Sequence, residues 1–427
     1  MGAVFDVKEE SFRRVLPDAT TARGLPEEGE DGAAPYVNVP INVGIFPGFS
    51  LNGAGASRTH NNVSVNLIMN DAATLQGMQV GLFWNRLRDE GRGVQLATVA
   101  NWSEGDFSGF QVAGLLSNTR GDFRGVQHAF FLNSAGRSFD GIQASSSGMN
   151  YAAGDMGFVQ LGLMGNVVRG RMDGFQMGAL NFAGGLGGFQ AGLANWTGES
   201  SEGGQASLAN YAGTLRGIQF ALVNSGGHIH GAQVGLINVA REVDGVQVGL
   251  LNLASRVKGA SLGPLGFVRE GEFHADGWMD DIGRPGLALS YGTGRGTGAG
   301  AGGGIEGVTG GLYSLFSLAL SPDDASAGEA GAGLGWKASW DRAFISTDLG
   351  LVSAYGMEGS NYQATRLRLF GGPEYKGRFG CFAGISLHGF LVDGDSPGPG
   401  PSFLQEHMFG ASGRLRPGLF AGIRVGR

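Results

Sequence analysis

Reactive side chains are sparse in this chain, and only a few places bring them close enough together to do chemistry. His228 and His230 stand two residues apart. On an extended chain both imidazoles leave the same face, as half of a zinc site requires. No third ligand lies nearby, so a solvated turn is the simpler reading. The segment EFHADGWMDD offers His274, Asp276, Asp280 and Asp281. Its oxygen-rich set suits a hard cation such as Ca²⁺ but lacks the spacing of an EF-hand loop. It reads as an acidic loop that follows the last repeat. Gly394-Asp395-Ser396-Pro397-Gly398 matches a nucleophile elbow by letter. Such an elbow needs a strand before it and a helix after it, and GDSPGPGPS is a proline-rich loop. The glycine tract Gly292–Gly304 is not followed by Lys-Ser or Lys-Thr, so it is expected to be a flexible loop and not a phosphate cradle. No catalytic residue, metal or cofactor is assigned, and the chain is read as a non-enzyme.

The polar residues that do recur are amides. G-x-Q opens units at Gly77, Gly93, Gly109, Gly125 and Gly141, then GFVQ at Gly157 with one inserted residue. It continues at Gly174, Gly188, Gly203, Gly217, Gly231 and Gly245, with a degenerate GASLG at Gly259. That makes thirteen units. The interval is 16 residues from Gly77 to Gly93 and 14 from Gly231 to Gly245. The consensus is G-x-Q-x-G-L-x-N-x-A, then a polar stretch with an apolar residue two before the next glycine: Phe107, Phe123, Phe139, Met172, Leu215, Ile229, Val243 or Val257.

Each unit alternates like a strand, with Val246, Val248 and Leu250 on one side and Gln247, Gly249 and Leu251 on the other. Two all-β architectures fit: a β-solenoid with one unit per coil, or an up-and-down barrel with one unit per strand. The solenoid is favoured. Unit length shows none of the long-short alternation of turns on opposite sides of a membrane. Glutamine at a fixed register would stack into an amide ladder. The Gln-to-Asn distance also slips, from five in Gln247–Asn252 to seven in Gln111–Asn118. A corner absorbs such slips, whereas a flat strand would reverse its faces. Gln219, Gln233, Gln247, Asn224, Asn238 and Asn252 are therefore assigned to structural ladders, with ligand binding by an exposed ladder as the alternative. The opening glycine is expected at a corner of positive φ. Trp102, Tyr151, Phe182, Trp196 and Tyr211 follow the Asn position; they are expected to pack at corners, and otherwise to form an outer stripe.

The flanks differ from the repeats. Residues 1–35 are charged and read as a flexible tail, 36–76 as an N-terminal β cap, and 77–266 as the repeats. Residues 267–427 hold about eight alternating segments, from GEFHADGW to GRLRPGLFAGIRVG, expected as an antiparallel β-barrel-like domain. Leu334, Trp336, Ala338 and Trp340 share a face opposite Lys337 and Ser339. Phe379, Cys381, Ala383, Ile385 and Leu387 share a face opposite Arg378, Ser386 and His388. Such a face of scattered charge suits the lumen of a membrane barrel, and a soluble β-sandwich or barrel would show the same pattern with its apolar face inward. The membrane barrel is favoured, and Lys337, Asp348, Arg366, Arg368 and His388 are grouped as a lumen polar network, with a ligand or ion site as the alternative.

Composition agrees. Of 427 residues 82 are glycine, which disfavours helix. The net charge of −7 argues against nucleic-acid binding. The single cysteine excludes an internal disulfide framework. No run is long and apolar enough for a membrane helix. The opening MGAVFDVKEESFRRVL shows no apolar core of a signal peptide.

The run PINVGIFPGFSLNG, with NNVSVNLIMN, GMQVGLFWN, GVQVGLLNLA and the closing RPGLFAGIRVG, resembles a bacterial surface-repeat family. The resemblance covers residues 36–427 and is most specific over Gly217–Ala254. It implies a location in the bacterial outer membrane or at the cell surface, outer-membrane lipid as a partner and a structural or binding role. It leaves any surface protein or glycan ligand open. The second reading is one large outer-membrane barrel acting as a pore or transporter.

Overall fold

A computed structural model describes residues 36–263, 265–292, 309–321, 327–340, 342–355, 363–375, 378–391, 407–409 and 413–426. The charged tail, the Ser396 loop and the glycine tract beyond Gly292 lie outside the described residues. The fold is all-β: a stacked parallel solenoid of about 13 turns, then a closed eight-stranded antiparallel barrel. The chain divides into two compact units, Met1–Gly217 and Ile218–Arg427.

In the first unit each early coil holds a longer strand bearing the Gln and a shorter one after it, as in Phe107–Ala113 and Leu116–Thr119. Later the lengths reverse, as in Phe189–Ala191 with Gln190 and Ala194–Ser201 with Asn195. The repeats pair in parallel and like residues stack on like: Phe123 on Phe107 and Phe139, Gln127 on Gln111 and Gln143. Parallel pairing excludes the up-and-down arrangement for the repeats. The segment expected as a cap joins the same stack, because Val37–Gly44 pairs in parallel with Thr59–Asn66 and that strand with Thr74–Gly81.

Sequence dictates the coil directly. The apolar residue before each glycine points inward, and the rings of Phe107, Phe123 and Phe139 stack at 5.7 and 4.7 Å. Below them lie Met156, Met172 and Leu186 in one buried cluster. The next inward residue is the Gln. Reaching it needs a bend, supplied by glycines such as Gly93, Gly109, Gly125 and Gly141 at φ of +125, +134, +127 and +138°. Only glycine holds that conformation without strain.

The glutamines are buried, so an exposed ligand-binding ladder is not what forms. Each Gln Nε2 donates to the Oε1 of the preceding coil, from Gln95 to Gln79 at 2.7 Å through Gln205 to Gln190 at 2.8 Å. The asparagines form a second buried ladder of opposite polarity. Asn133 Nδ2 donates forward to Asn150 Oδ1 at 2.8 Å, and its other hydrogen goes to the Ala144 carbonyl at 2.6 Å. A buried amide left unpaired costs about 1–3 kcal/mol, and these ladders answer that cost coil by coil.

Two registers differ from the sequence reading. At GFVQ the residue paired with Gly141 is Phe158, not Gly157. Phe158 holds φ +92°, the one positive-φ non-glycine among the described residues. The inserted residue sits before the corner, and the chain keeps Gln160 in the ladder at the expense of backbone strain. Likewise the Asn register in the third coil belongs to Ser117, which pairs with Asn101 and Asn133, while Asn118 points away from it. Serine is too short to continue the ladder, and Asn133 Oδ1 is buried without a hydrogen bond among the described residues. Ser117→Asn should restore it and raise stability by about 1 kcal/mol. Chemical denaturation checks this, and a loss of stability would mean that the third coil has no room for the amide.

In the second unit the solenoid continues from Ile218 with the same ladders, Gln233 to Gln219 and Gln247 to Gln233 at 2.8 Å, and Asn224 to Asn238 and Asn238 to Asn252 at 2.9 and 2.8 Å. The barrel follows. Its strands are Phe273–Asp280, Pro285–Gly292, Thr309–Leu320, Gly328–Trp340, Ala343–Tyr355, Gln363–Tyr375, Phe379–Leu391 and Gly413–Gly426. The last closes the barrel by pairing with both Phe379–Leu391 and Phe273–Asp280. A short strand, His407–Phe409, pairs on it as well.

Candidate functional site

Alternation along the barrel strands sends one set of side chains into the interior. In Gln363–Tyr375 these are Ala364, Arg366, Arg368, Phe370 and Glu374; the outward set is apolar apart from Gln363 and Thr365. All five expected lumen residues, Lys337, Asp348, Arg366, Arg368 and His388, lie buried inside the barrel.

Most of the charges are paired. Arg368 grips Asp348 with Nε and Nη2, both at 2.9 Å. Lys337 Nζ donates to Glu374 at 2.8 Å and lies 3.6 Å from Glu272. Arg366 Nη2 donates to Ser317 Oγ at 2.6 Å. Members that the sequence reading missed complete the network. Arg424 binds Asp276 through two bonds of 2.7 and 2.6 Å. Arg284 bridges Asp280, at 2.8 Å, and Glu329. Arg424 in the closing strand was legible as a lone inward charge between Ile423 and Val425, but its partner is 148 residues away. The guanidinium groups lie over rings: Arg424 is 4.3 Å from the Phe344 centroid and Arg368 is 5.0 Å from that of Trp278. Phe344, Phe370, Phe382 and Phe420 pack as one cluster in the same interior.

These side chains fill the barrel. At one end they leave a cavity of about 20 Å³ lined in part by Arg284, Glu329, Arg366, His388 and Arg416, which is room for about one water molecule. At that end the described side chains leave no room for a ligand.

The EFHADGWMDD segment is not an acidic loop. His274 and Asp276 point inward from a barrel strand and are spent on Lys337 and Arg424, while Asp280 holds Arg284 at the turn. The strand hides the Asp276 carboxylate, which a loop would expose to solvent. His228 and His230 do share an exposed face, but each meets a carboxylate of the next coil, Glu242 at 3.2 Å and Asp244 at 3.6 Å. No group of three metal-binding side chains occurs among the described residues.

On the solenoid, Phe182, Trp196 and Tyr211 pair across successive coils and face outward, with Trp196 and Tyr211 stacked at 3.9 Å. Trp102 stacks on Trp84 at 6.4 Å and lies beneath Arg120; Tyr151 lies beneath Arg169. The expected corner packing gives way to an outer stripe because the inward positions of that strand belong to Asn and a small residue. Charge gathers in the other turn. There Arg88 holds Asp71 by two bonds, which raises its already high pKa. Tyr36 donates to Asp89 at 2.5 Å, and that bond pushes its pKa up to about 12.

The fold thus defines a class of architecture, a parallel β-solenoid joined to a small, filled antiparallel barrel. No family model, curated protein or solved structure matches the chain.

Proposed function

We propose that the chain is a non-enzymatic bacterial envelope protein whose C-terminal barrel anchors it in the outer membrane and whose solenoid is the module the barrel carries. One observation carries the reading: the barrel is apolar outside and charged inside. Leu351, Ile423 and Phe379 are 72, 61 and 60% exposed, whereas Arg368, Asp348 and Arg424 are 4, 3 and 2% exposed. A barrel in water would bury the first set, while lipid rewards this arrangement. Closure leaves no unpaired strand edge in the ring, as a lipid environment demands. Outward Trp340, Tyr375 and Phe379 cluster toward one rim, where an aromatic girdle would sit. The filled interior favours an anchor over a pore.

Cys381, the sole cysteine, is exposed on the outward face of its strand. In lipid vesicles the intact protein should resist a charged, membrane-impermeant maleimide and accept a lipophilic thiol reagent. Rapid reaction with the charged reagent in vesicles would sink the anchor reading. A planar bilayer should register no steady conductance.

A further inference from the structure

The solenoid is two-sided. Between Ile218 and Phe267 the titratable residues all fall in three short segments, 228–230, 241–244 and 256–258. These are one turn of the coil, repeated. They form their own ladder, in which Arg256 bonds Glu242 at 2.6 Å and Glu270 at 2.9 Å. The other turn carries no charge. Leu222, Leu236 and Leu250 stand there, and Phe220, Leu265 and Phe267 stand on the outward faces of the strands that flank it; all six are between 43 and 61% exposed. In the first unit the corresponding turns carry Leu82, Phe83, Phe131, Leu163, Leu193 and Leu208 between 48 and 66% exposed, and one coil is polar there, at Ser145–Ser147. A monomer in water rarely exposes so long an apolar run.

We infer that this uncharged flank of the solenoid rests on the hydrocarbon of the same bilayer that holds the barrel. The inference rests on the anchor reading above and extends it to the repeats. Continuity favours lipid as the occupant. Phe267, on the outward face of the strand that follows the last of these turns, packs its ring 4.8 Å from Tyr291, and Tyr291 packs 4.8 Å from Phe273. Tyr291 and Phe273 lie on the outward side of the barrel, opposite the inward Ser290 and His274. The apolar flank therefore runs into the barrel's outer face without a polar break. The flank also lacks what a protein partner would use, since the Leu, Ile and Phe of its turns have no charged rim among them. The strands beside each turn pair with the neighbouring coils. The turn is bonded from coil to coil as well, Leu265 N–H donating to the Leu250 carbonyl at 3.1 Å, which lowers the cost of contact with lipid. Attachment through such a flank is apolar and should survive high salt.

The test uses the full chain in a Cys381→Ser background, in phosphatidylcholine–phosphatidylethanolamine vesicles. Leu236→Cys and Leu250→Cys sample the apolar flank, Glu242→Cys the charged one and Ile423→Cys the barrel; each carries an environment-sensitive fluorophore. Labels at 236, 250 and 423 should shift to the blue and be quenched by a lipid-borne quencher, and the label at 242 by iodide. If 236 and 250 are quenched by iodide while 423 answers to the lipid quencher, the flank proposal fails and the anchor stands. If 423 also answers to iodide, the anchor fails and the flank proposal with it. If 236 and 250 are shielded from both quenchers, a protein covers the flank, which overturns lipid as its occupant.

Discussion

Gly125→Val should unfold the middle of the first unit, at a cost of about 4 kcal/mol or more. Two effects add. The residue holds φ +127°, which a β-branched side chain does not tolerate. A β-carbon built there would lie 2.1 Å from the carbonyl oxygen of Gly109, which is backbone and cannot swing aside. The neighbouring corners are stacked in the same way, so separating one pair also pulls at the ladders on either side of it. Hydrogen exchange over residues 107–145, before and after the substitution, reads the effect as lost protection. Gly157→Ala is the matched control. Its β-carbon would meet only the Asp140 side chain, at 3.1 Å, so its effect should stay below about 0.5 kcal/mol. Equal losses at 125 and 157 would show that the glycines matter for some reason other than the corner.

The second large effect is expected inside the barrel. Arg368→Leu leaves Asp348 buried without its bidentate partner, at a cost of about 3–5 kcal/mol. The double variant Arg368→Leu/Asp348→Leu removes both charges and should recover most of that loss. Denaturation of the full chain in lipid vesicles measures each corner of the cycle. A double variant as unstable as the single would assign the role of Arg368 to its stacking over Trp278 and Phe420, at 5.0 and 5.5 Å, rather than to its charge.

Much of this architecture is legible in the chain because a solenoid is local. The register of Gln219, Gln233 and Gln247 predicts a ladder, since identical side chains at one coil interval must stack if the coils do. The barrel strands follow from period-two alternation in segments such as AFISTDLGLVSAYG. Legibility fails where a unit departs from its own pattern. Counting letters puts the corner at Gly157 and the ladder amide at Asn118. Which residue holds each place is decided by pairing with the coils before and after, and the buried Gln160 and Asn133 set that register at the expense of strain at Phe158 and an orphaned oxygen at Asn133.

The candidate site was half legible for a similar reason. Inward Arg366 and Arg368 declare themselves beside Leu367 and Leu369. Their counterparts do not. Asp276 reads from the sequence as part of an acidic loop, because nothing local reveals that the closing strand will bring Arg424 against it. Which charge faces which is a property of barrel closure, and closure joins the first and last strands of the domain. The outer aromatic stripe was misjudged on other grounds: water would drive Trp196 and Tyr211 inward, and the small inward space of that strand had already gone to asparagine.

The opposed polarity of the two amide ladders bears on length. Each coil hands on the same donors and acceptors that it received, so a whole coil added or lost leaves the chemistry of its neighbours unaltered. A fraction of a coil would bring amide against apolar side chain. Reach therefore comes in steps of about 4.8 Å, each encoded by 14 to 17 residues. A gene of this kind can lengthen or shorten its product by unequal recombination between repeats and still specify a protein that folds.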